Sequence, residues 1–150
     1  MWRSIRFLPF LFAGGLLLSD AEALPRPNLT ASATLTPGEV PVGTASRYTL
    51  SMCNTGGGTV YNAYLSTWPV VPYAIVAQPR GGSCRAVRYT TGTYIYCMVT
   101  LRAGACGDLV LALTPPAAGD YDIVGYADAN NLIRETDETD NTAELVLSAY

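Results

Sequence analysis

The acidic stretch from Asp128 to Asn141, "DANNLIRETDETDN", carries the residues best suited to chemistry in this chain. Five of its fourteen residues are Asp or Glu. Carboxylate and amide oxygens are the ligands that Ca²⁺ prefers in proteins. The sequence therefore predicts Asp128, Asn130, Glu135 and Asp137 as candidate ligands for a calcium ion.

The same stretch departs from the EF-hand calcium loop. No glycine follows its opening Asp-x-Asn-x-x pattern, and Thr139 stands twelfth, where that loop requires a bidentate Glu. The competing interpretation is a hairpin connection, in which Leu132 and Ile133 fold back as an apolar plug on the end of the core. Short polar side chains would then bond to nearby backbone amides. Those side chains are Asn130, Asn131, Asp140 and Asn141. The hairpin interpretation explains the stretch with fewer assumptions and is favoured over a calcium site.

Three tyrosines, Tyr89, Tyr94 and Tyr96, form a second candidate site. Tyrosines displayed on a sheet can anchor a protein partner or stack on a sugar ring. The commoner explanation is a set of cross-strand aromatic pairs that only stabilises a hairpin. The sequence predicts a possible partner contact here and leaves both interpretations open.

The composition removes most catalytic chemistry. The chain has no histidine and no lysine, which excludes Ser-His-Asp triads, Cys-His pairs, histidine-ligated zinc and Schiff-base lysines. A hydrolase that uses two carboxylates across a cleft remains as a remote alternative. The net charge is -3 and the arginines are scattered, so no basic stripe is present to follow a nucleic acid. We expect a protein that is not an enzyme, binds no nucleic acid, and has no cofactor apart from the calcium considered above.

The first residues predict an exported protein. Arg3 and Arg6 precede an apolar run from Phe7 to Leu18, and Ala21-Glu22-Ala23 supplies a small-x-small cleavage pattern. Residues 1–23 are therefore predicted to be a secretory signal peptide. The alternative is a single-pass anchor, but the run is short against the roughly 20 residues that span a bilayer. We expect a secreted or periplasmic protein without stable membrane insertion after cleavage.

The remaining residues, 24–150, have the length of one domain. Apolar and polar residues alternate in short segments bounded by Gly, Pro, Asn and Asp, which is typical of strands with one buried face. The pattern predicts an all-β, immunoglobulin-like sandwich of two antiparallel sheets, with about seven to eight strands. The predicted core-facing residues are Leu29, Ala31, Ala33 and Leu35, then Tyr48, Leu50 and Met52, then Tyr61, Ala63 and Leu65, and then Leu109, Leu111 and Leu113.

Four cysteines in an exported domain predict disulfide bonds. Their spacing contains no C-x-x-C pair and the chain has no histidine, so a zinc site is disfavoured. In an immunoglobulin-like sandwich, the strand that ends at Cys53 lies antiparallel to the strand that begins at Cys106. Among the three possible pairings, this register favours Cys53 with Cys106, which leaves Cys84 to close a hairpin with Cys97.

Two parts of the sequence resemble a known family. The segment "PNLTASATLTPGEVPVGTASRYTLSMCNTGGGTVYNAYLSTWP" resembles the opening of immunoglobulin-like repeats of bacterial envelope and secreted proteins. The end of the chain is similar to the CARDB domain, the cell-adhesion-related domain of bacteria, which closes on the pattern "G.Y......D..N.i.E..E..N". The matching residues are Gly119, Tyr121, Asp128, Asn131, Ile133, Glu135, Glu138 and Asn141. The resemblance implies a secreted β-sandwich with a binding, adhesive or spacer role and no catalytic residues.

Together these observations predict a non-catalytic module for binding, adhesion or accessory docking. Its expected partner is an envelope or secreted protein, or a polysaccharide. The alternative function is a calcium-dependent adhesive or matrix component that uses residues 128–141.

Overall fold

The computed structural model describes residues 25–150, and the predicted signal peptide of residues 1–23 lies outside them. The described chain is built from strands and the turns that join them. The strands are β1 (Leu29–Thr36), β2 (Glu39–Val40), β3 (Ser46–Asn54), β4 (Val60–Thr67), β5 (Tyr73–Ala77), β6 (Ser83–Tyr89), β7 (Gly92–Leu101), β8 (Cys106–Leu113), β9 (Gly119–Ala127) and β10 (Thr142–Ala149).

The strands form two sheets that pack face to face. The four-stranded sheet has the order β1-β3-β8-β5, and the six-stranded sheet has the order β2-β10-β9-β4-β7-β6. The predicted two-sheet, all-β architecture is confirmed. The strand number is higher than expected because the two-residue strand β2 forms in a segment that looked like a turn. This strand also pairs in parallel with β10, whereas the other strand pairs are antiparallel.

The core lies between the sheets, where alternate residues of each strand point inward. In the four-stranded sheet it is formed by the predicted residues of β3 and β8, all fully buried, with Leu29 of β1. The facing side chains of the six-stranded sheet include Leu65, Ile95, Ile123 and Leu147, which are also fully buried. Since each such side chain contributes roughly 1.5–3 kcal/mol when removed from water, this alternation is the main source of the fold's stability.

For one predicted core residue, simple alternation along the strand predicts the wrong face of the sheet. Tyr61 was expected to share the inner face with Ala63 and Leu65, but its side chain is 72% exposed. The pairing of β4 with β7 shifts between Val60 and Ala63, and Asn62 there has a positive φ of 55°. This β-bulge inserts an extra residue, so Val60 takes the inward position and Tyr61 turns to solvent.

The two disulfides join the pairs that the register predicts. Cys53 on β3 lies opposite Cys106 on β8, and Cys84 on β6 lies opposite Cys97 on β7. The second bridge fastens an edge strand that is exposed along nearly its whole length. Because β6 buries little apolar surface itself, the roughly 3 kcal/mol expected from a loop of this length is a large part of what holds it on β7.

The two lateral sides of the sandwich, where the edge strands of the sheets lie, differ in how closely the sheets approach each other. On one side β1 packs against β9 and β10, and the sheets meet. On the other side β5 and β6 are the last strands of their sheets, and an open groove of about 630 Å³ lies between them. Its lining includes Val71, Tyr73, Ile75, Arg88 and Tyr89. Residues 25–150 contain no helix that is long and apolar enough to cross a membrane.

Candidate functional site

The acidic loop, residues 128–141, connects β9 to β10. It begins with a tight turn at Asp128, whose φ is 42° and whose backbone oxygen accepts from the amide of Asn131 at 2.7 Å. Asp128 Oδ2 accepts from the amide of Ile133 at 2.8 Å. The carboxylate that sequence analysis offered as a metal ligand is thus partly used to hold the loop's own backbone.

Glu135 anchors the middle of the acidic loop to the first strand. Its side chain is 5% exposed, and Oε2 accepts a hydrogen bond from the backbone amide of Leu29 at the start of β1. Oε1 accepts from Asn141 Nδ2 at 3.1 Å. Burial raises the pKa of the Glu135 carboxyl, the two hydrogen bonds oppose that rise, and the nearby Glu138 and Asp128 charges add to it.

Asn28 is the main contact between the acidic loop and the rest of the molecule. Its Oδ1 accepts from Thr136 Oγ1 and from the Asp137 amide, each at 2.7 Å. Its Nδ2 donates to Asp140 Oδ2 at 2.9 Å and to Thr55 Oγ1 at 3.2 Å. One buried amide side chain therefore joins the N-terminal segment, the turn after β3 and the acidic loop. No local pattern in the sequence predicts this role of Asn28, because its partners lie far along the chain.

The four predicted calcium ligands do not converge. Asp128 and Glu135 are buried, whereas Asn130 and Asp137 are exposed. Asp137 Oδ1 accepts from Thr139 Oγ1 and from the Thr139 amide, and these bonds lower the Asp137 pKa. Among the described residues, no group of three or more His, Cys, Asp or Glu side chains is arranged to hold a metal ion.

The apolar plug predicted for this stretch is half correct. Ile133 is partly buried and packs against the core, but Leu132 is 76% exposed. The turn places consecutive side chains on opposite sides, so only one of the two can reach the core.

Several residues of the CARDB-like pattern at the end of the chain form hydrogen bonds in the acidic loop or in the turn before β9. Tyr121 Oη donates to the Ala117 oxygen at 2.8 Å, which fixes the turn before β9. The Glu135 amide donates to Glu138 Oε1 at 3.0 Å. The bond from the Ile133 amide to Asp128 and the bond from Asn141 to Glu135 also lie inside the loop and close it on itself. The pattern therefore encodes a structural connection.

Three oxygens in the acidic loop remain without a hydrogen-bond partner among the described residues although they are buried. They are Asp128 Oδ1, Asp140 Oδ1 and Asn141 Oδ1. Asp128 and Asn141 lie close to Glu135. The Asp128 side chain is only 4% exposed. Because a buried polar oxygen without a partner is costly, this end of the acidic loop is suited to a bound cation.

The predicted tyrosines lie in a longer line of aromatic side chains, which we call the aromatic row. It consists of Tyr64, Trp68, Tyr89, Tyr94 and Tyr96 on the outer face of the six-stranded sheet. Neighbouring ring centroids are 5.4–5.8 Å apart, from Tyr89 to Trp68, Tyr94, Tyr96 and Tyr64 in turn. These distances are those of favourable aromatic contacts, so the row is a continuous apolar strip.

The surroundings of the aromatic row are basic. Arg85 lies opposite Tyr96 on the neighbouring strand, and Arg85 and Arg88 are both exposed. No Asp or Glu occurs anywhere between Val40 and Gly107. Aromatic residues and Arg are enriched in protein interfaces, and acidic residues and Lys are depleted there. This face therefore has the aromatic and arginine side chains that protein interfaces favour, without an acidic residue.

Sequence analysis found three members of the aromatic row and missed two. Tyr64 lies on β4 and Trp68 directly follows its last residue, and both reach Tyr94 and Tyr96 only through the pairing of β4 with β7. The alternation of β4 does place Tyr64 on the outer face, but nothing local reveals which strand lies beside it.

No protein-family model matches this sequence, and no curated protein sequence matches it. Solved structures do. The CARDB domain of a Pyrococcus furiosus protein, solved in complex with di-metal ions, is 22% identical, with a TM-score of 0.63 over 83% of this chain and 94% of that chain.

Two further structures have the same architecture. A domain of a putative cell surface protein from Methanosarcina acetivorans is 17% identical, with a TM-score of 0.54 over 83% of this chain and 93% of that one. An uncharacterized protein from Nocardia farcinica with an immunoglobulin-like fold is 14% identical, with a TM-score of 0.54 over 79% and 97% of the two chains. The chain therefore has the fold of CARDB domains, as the sequence resemblance indicated, and the immunoglobulin-like prediction is confirmed.

Proposed function

We propose that this protein is an exported, non-catalytic binding module that docks on another exported protein through the aromatic row. The observation that carries the proposal is the uninterrupted line of five aromatic side chains beside exposed arginines. Tyr, Trp and Arg are the residues that most often dominate binding energy in protein interfaces. The two disulfides suit an oxidising compartment outside the cytoplasm.

A catalytic role receives no support from the arrangement of carboxylates. The buried pair, Asp128 and Glu135, is engaged in bonds that close the acidic loop. The open groove next to the aromatic row is lined by apolar and hydroxyl side chains and Arg88, without an Asp or Glu. A two-carboxylate hydrolysis needs both acids across a cleft, so binding is the better proposal.

Replacing Tyr89, Tyr94 and Tyr96 by serine is expected to abolish partner binding. Truncating one central aromatic residue typically costs about 2 kcal/mol of binding energy or more, so the triple variant should reduce capture by well over tenfold. The measurement is affinity capture with oxidised residues 24–150 from envelope and secreted fractions of the producing cell. Bound partners are identified by mass spectrometry.

The matched control replaces two exposed tyrosines outside the aromatic row, Tyr61→Ser with Tyr150→Ser, each of which is 72% exposed. This control should bind as the unmodified protein does. If the triple variant melts at a lower temperature but still captures the same partners, the aromatic row only stabilises the sheet. Capture of polysaccharide without protein would point to the other partner class.

A calcium-binding function is a second candidate, supported by the unpartnered buried oxygens of Asp128 and Asn141. A cation there would satisfy both oxygens and offset the charge of the buried Glu135. With the dissociation constants usual for extracellular sites, about 0.1–1 mM, calcium at about 1 mM should stabilise the protein by roughly 0.4–1.4 kcal/mol. Scanning calorimetry in calcium and in EDTA measures the resulting rise in melting temperature.

The Asp128→Asn variant should lose this calcium-dependent rise. The Asp137→Asn variant should keep it, because that carboxylate is exposed and bonds only within its own turn. An unchanged melting temperature of the unmodified protein in calcium would reject the site.

A further inference from the structure

The free edge of β6 is the second feature of the face that carries the aromatic row. Within residues 25–150, β6 ends the six-stranded sheet and pairs with β7 alone. The amide of Cys84 donates to Gln78 Oε1 at 3.2 Å, so it points away from β7. Because backbone amides of a strand alternate in direction, those of Ala86 and Arg88 point outward as well. Ready-made pairing groups are therefore available along this edge.

The other sheet edges are better protected. The amides of Leu29 and Ala31 on β1 donate to Glu135 and to the Asp140 oxygen, so the acidic loop covers that edge. β2 has only two residues and is followed directly by Pro41. β5 has five residues, and its pairing with β8 is irregular. Short, irregular or covered strands resist addition of a further strand, and β6 is left as the accessible edge.

The surface beside β6 is positively charged and therefore favours an acidic partner. Arg85 projects from the outer face and Arg88 lines the open groove. The nearest acidic residues in sequence are Glu39 and Asp108, both outside β4 to β7. An approaching anionic chain would meet positive charge without a competing carboxylate on these strands.

The groove provides room for alternate side chains of such a chain. Successive residues of a strand point to opposite faces, so a strand added at β6 would direct one set toward the aromatic row. The other set would enter the groove, against the apolar side chains of Val71 and Ile75. Main-chain pairing with pockets for alternate side chains is a recurrent mode of peptide recognition.

We infer that the partner contributes an extended, acidic segment that adds as a further strand to the free edge of β6. This inference rests on the proposed docking function and names the kind of partner segment that the site takes. Backbone bonds to Ala86 and Arg88 supply the pairing, Arg85 and Arg88 bind the acidic side chains, and the aromatic row and groove bind the apolar ones.

A synthetic peptide tests the inference directly. The probe is an end-capped eight-residue peptide in which Glu-Glu and Val-Val pairs alternate, so that each face of the extended chain carries both residue types. It is titrated into oxidised residues 24–150. Trp68 is the only tryptophan of this segment and belongs to the aromatic row, so its fluorescence reports binding. Amide exchange measured by NMR should show new protection at Ala86 and Arg88.

Two altered peptides separate the pairing from the charge. A lysine and valine peptide of the same length, and the glutamate peptide N-methylated at its central amides, should each bind at least about tenfold more weakly, a difference of ~1.4 kcal/mol. Equal binding of either altered peptide would overturn the inference, and so would the absence of binding by the acidic peptide at millimolar concentration. Neither comparison depends on a protein variant that has to fold.

Protein variants provide the matched test. Ala86→Pro removes an outward amide that β7 does not use, a position where an edge strand tolerates proline, and Arg85→Glu with Arg88→Glu reverses the charge. Each change should weaken the binding of the acidic peptide at least about tenfold. A dimer of the unmodified protein that Ala86→Pro dissociates, seen by light scattering, would instead assign the edge to a second copy.

The two proposals fail in different ways. If Ala86→Pro captures the natural partner normally while the triple tyrosine variant does not, docking on the aromatic row stands and strand addition falls. If the triple tyrosine variant captures the partner normally, the docking proposal itself falls.

Discussion

Gly125→Ala is expected to lower the free energy of unfolding by roughly 2–3 kcal/mol, because the added methyl group overpacks a closed core. Gly125 lies on the inner face of β9 and is buried. A Cβ atom there would lie 2.3 Å from Leu50 Cδ1 and 2.7 Å from Tyr48 Oη. Both side chains are fully buried on the facing sheet, so they cannot turn into solvent to relieve the contact. A small gain in strand propensity, about 0.5–1 kcal/mol, offsets part of the cost.

Urea unfolding followed by circular dichroism measures this effect, and the matched control is Gly38→Ala. At Gly38 an added Cβ would meet nothing within 4 Å, so stability should stay within about 0.5 kcal/mol of the unmodified protein. If the two substitutions are equally tolerated, the sheets do not approach as closely at Gly125 as the structure indicates.

Asn28→Ala is expected to destabilise the protein by about 3 kcal/mol and to loosen the acidic loop. The substitution removes four hydrogen bonds, to Thr136, Asp137, Thr55 and Asp140. A polar group left unsatisfied in a buried position costs about 1–3 kcal/mol, and water entering the opened site limits the total. Hydrogen exchange should rise across residues 128–141 while the exchange of β3 and β8 follows global unfolding.

The control is Asn130→Ala in the same loop, where the side chain is exposed and little change in stability is expected. Asn28→Asp tests the direction of the bonds, since it replaces a donating amide by an acceptor next to Asp140. It should be destabilising at neutral pH, because two carboxylates then face each other. Unchanged exchange in the acidic loop of Asn28→Ala would show that the Asn28 side chain is not needed to hold the loop.

The acidic loop and the aromatic row lie on different parts of the chain and have different roles. The Glu135 carboxylate and the Asp140 backbone oxygen cover the edge of β1, and the Asp140 carboxylate and the Asp137 amide bond to Asn28. Together with the bonds inside the loop, these contacts account for most of its acidic and amide side chains without a ligand. On the face with the aromatic row, large aromatic side chains lie at the surface, although the fold itself does not require them there. This contrast is why we place partner binding on the row and keep the loop as the second candidate.

Much of the fold follows from local pattern. The inward residues of β1, β3 and β8 alternate as the sequence predicts, because a strand with one buried face must have an apolar residue at every second position. The disulfide pairs were predicted from the strand order of an immunoglobulin-like sandwich. Strand pairing was then set by simple antiparallel register, which brings Cys53 opposite Cys106.

The candidate sites were only partly predictable. The acidic loop was recognised by composition, but composition does not distinguish Asp128 and Glu135, which turn inward, from Asn130 and Asp137, which remain exposed. That outcome depends on the position of the Leu29 amide, which needs Glu135 as its partner. The pairing partner lies in a strand about a hundred residues earlier, so no local rule could select it.

The sequence alone determined that this is an all-β, disulfide-bonded domain with an acidic final connection and a tyrosine-rich hairpin, because strand alternation and turn residues act over a few neighbouring positions. Tertiary structure alone decided the bulge that turns Tyr61 outward, the buried contacts of Asn28, and the union of Tyr64 and Trp68 with the three hairpin tyrosines. Each of these depends on which strands lie side by side and in what register. The packing of the whole core decides which strands are neighbours, and a single segment of sequence does not contain that information.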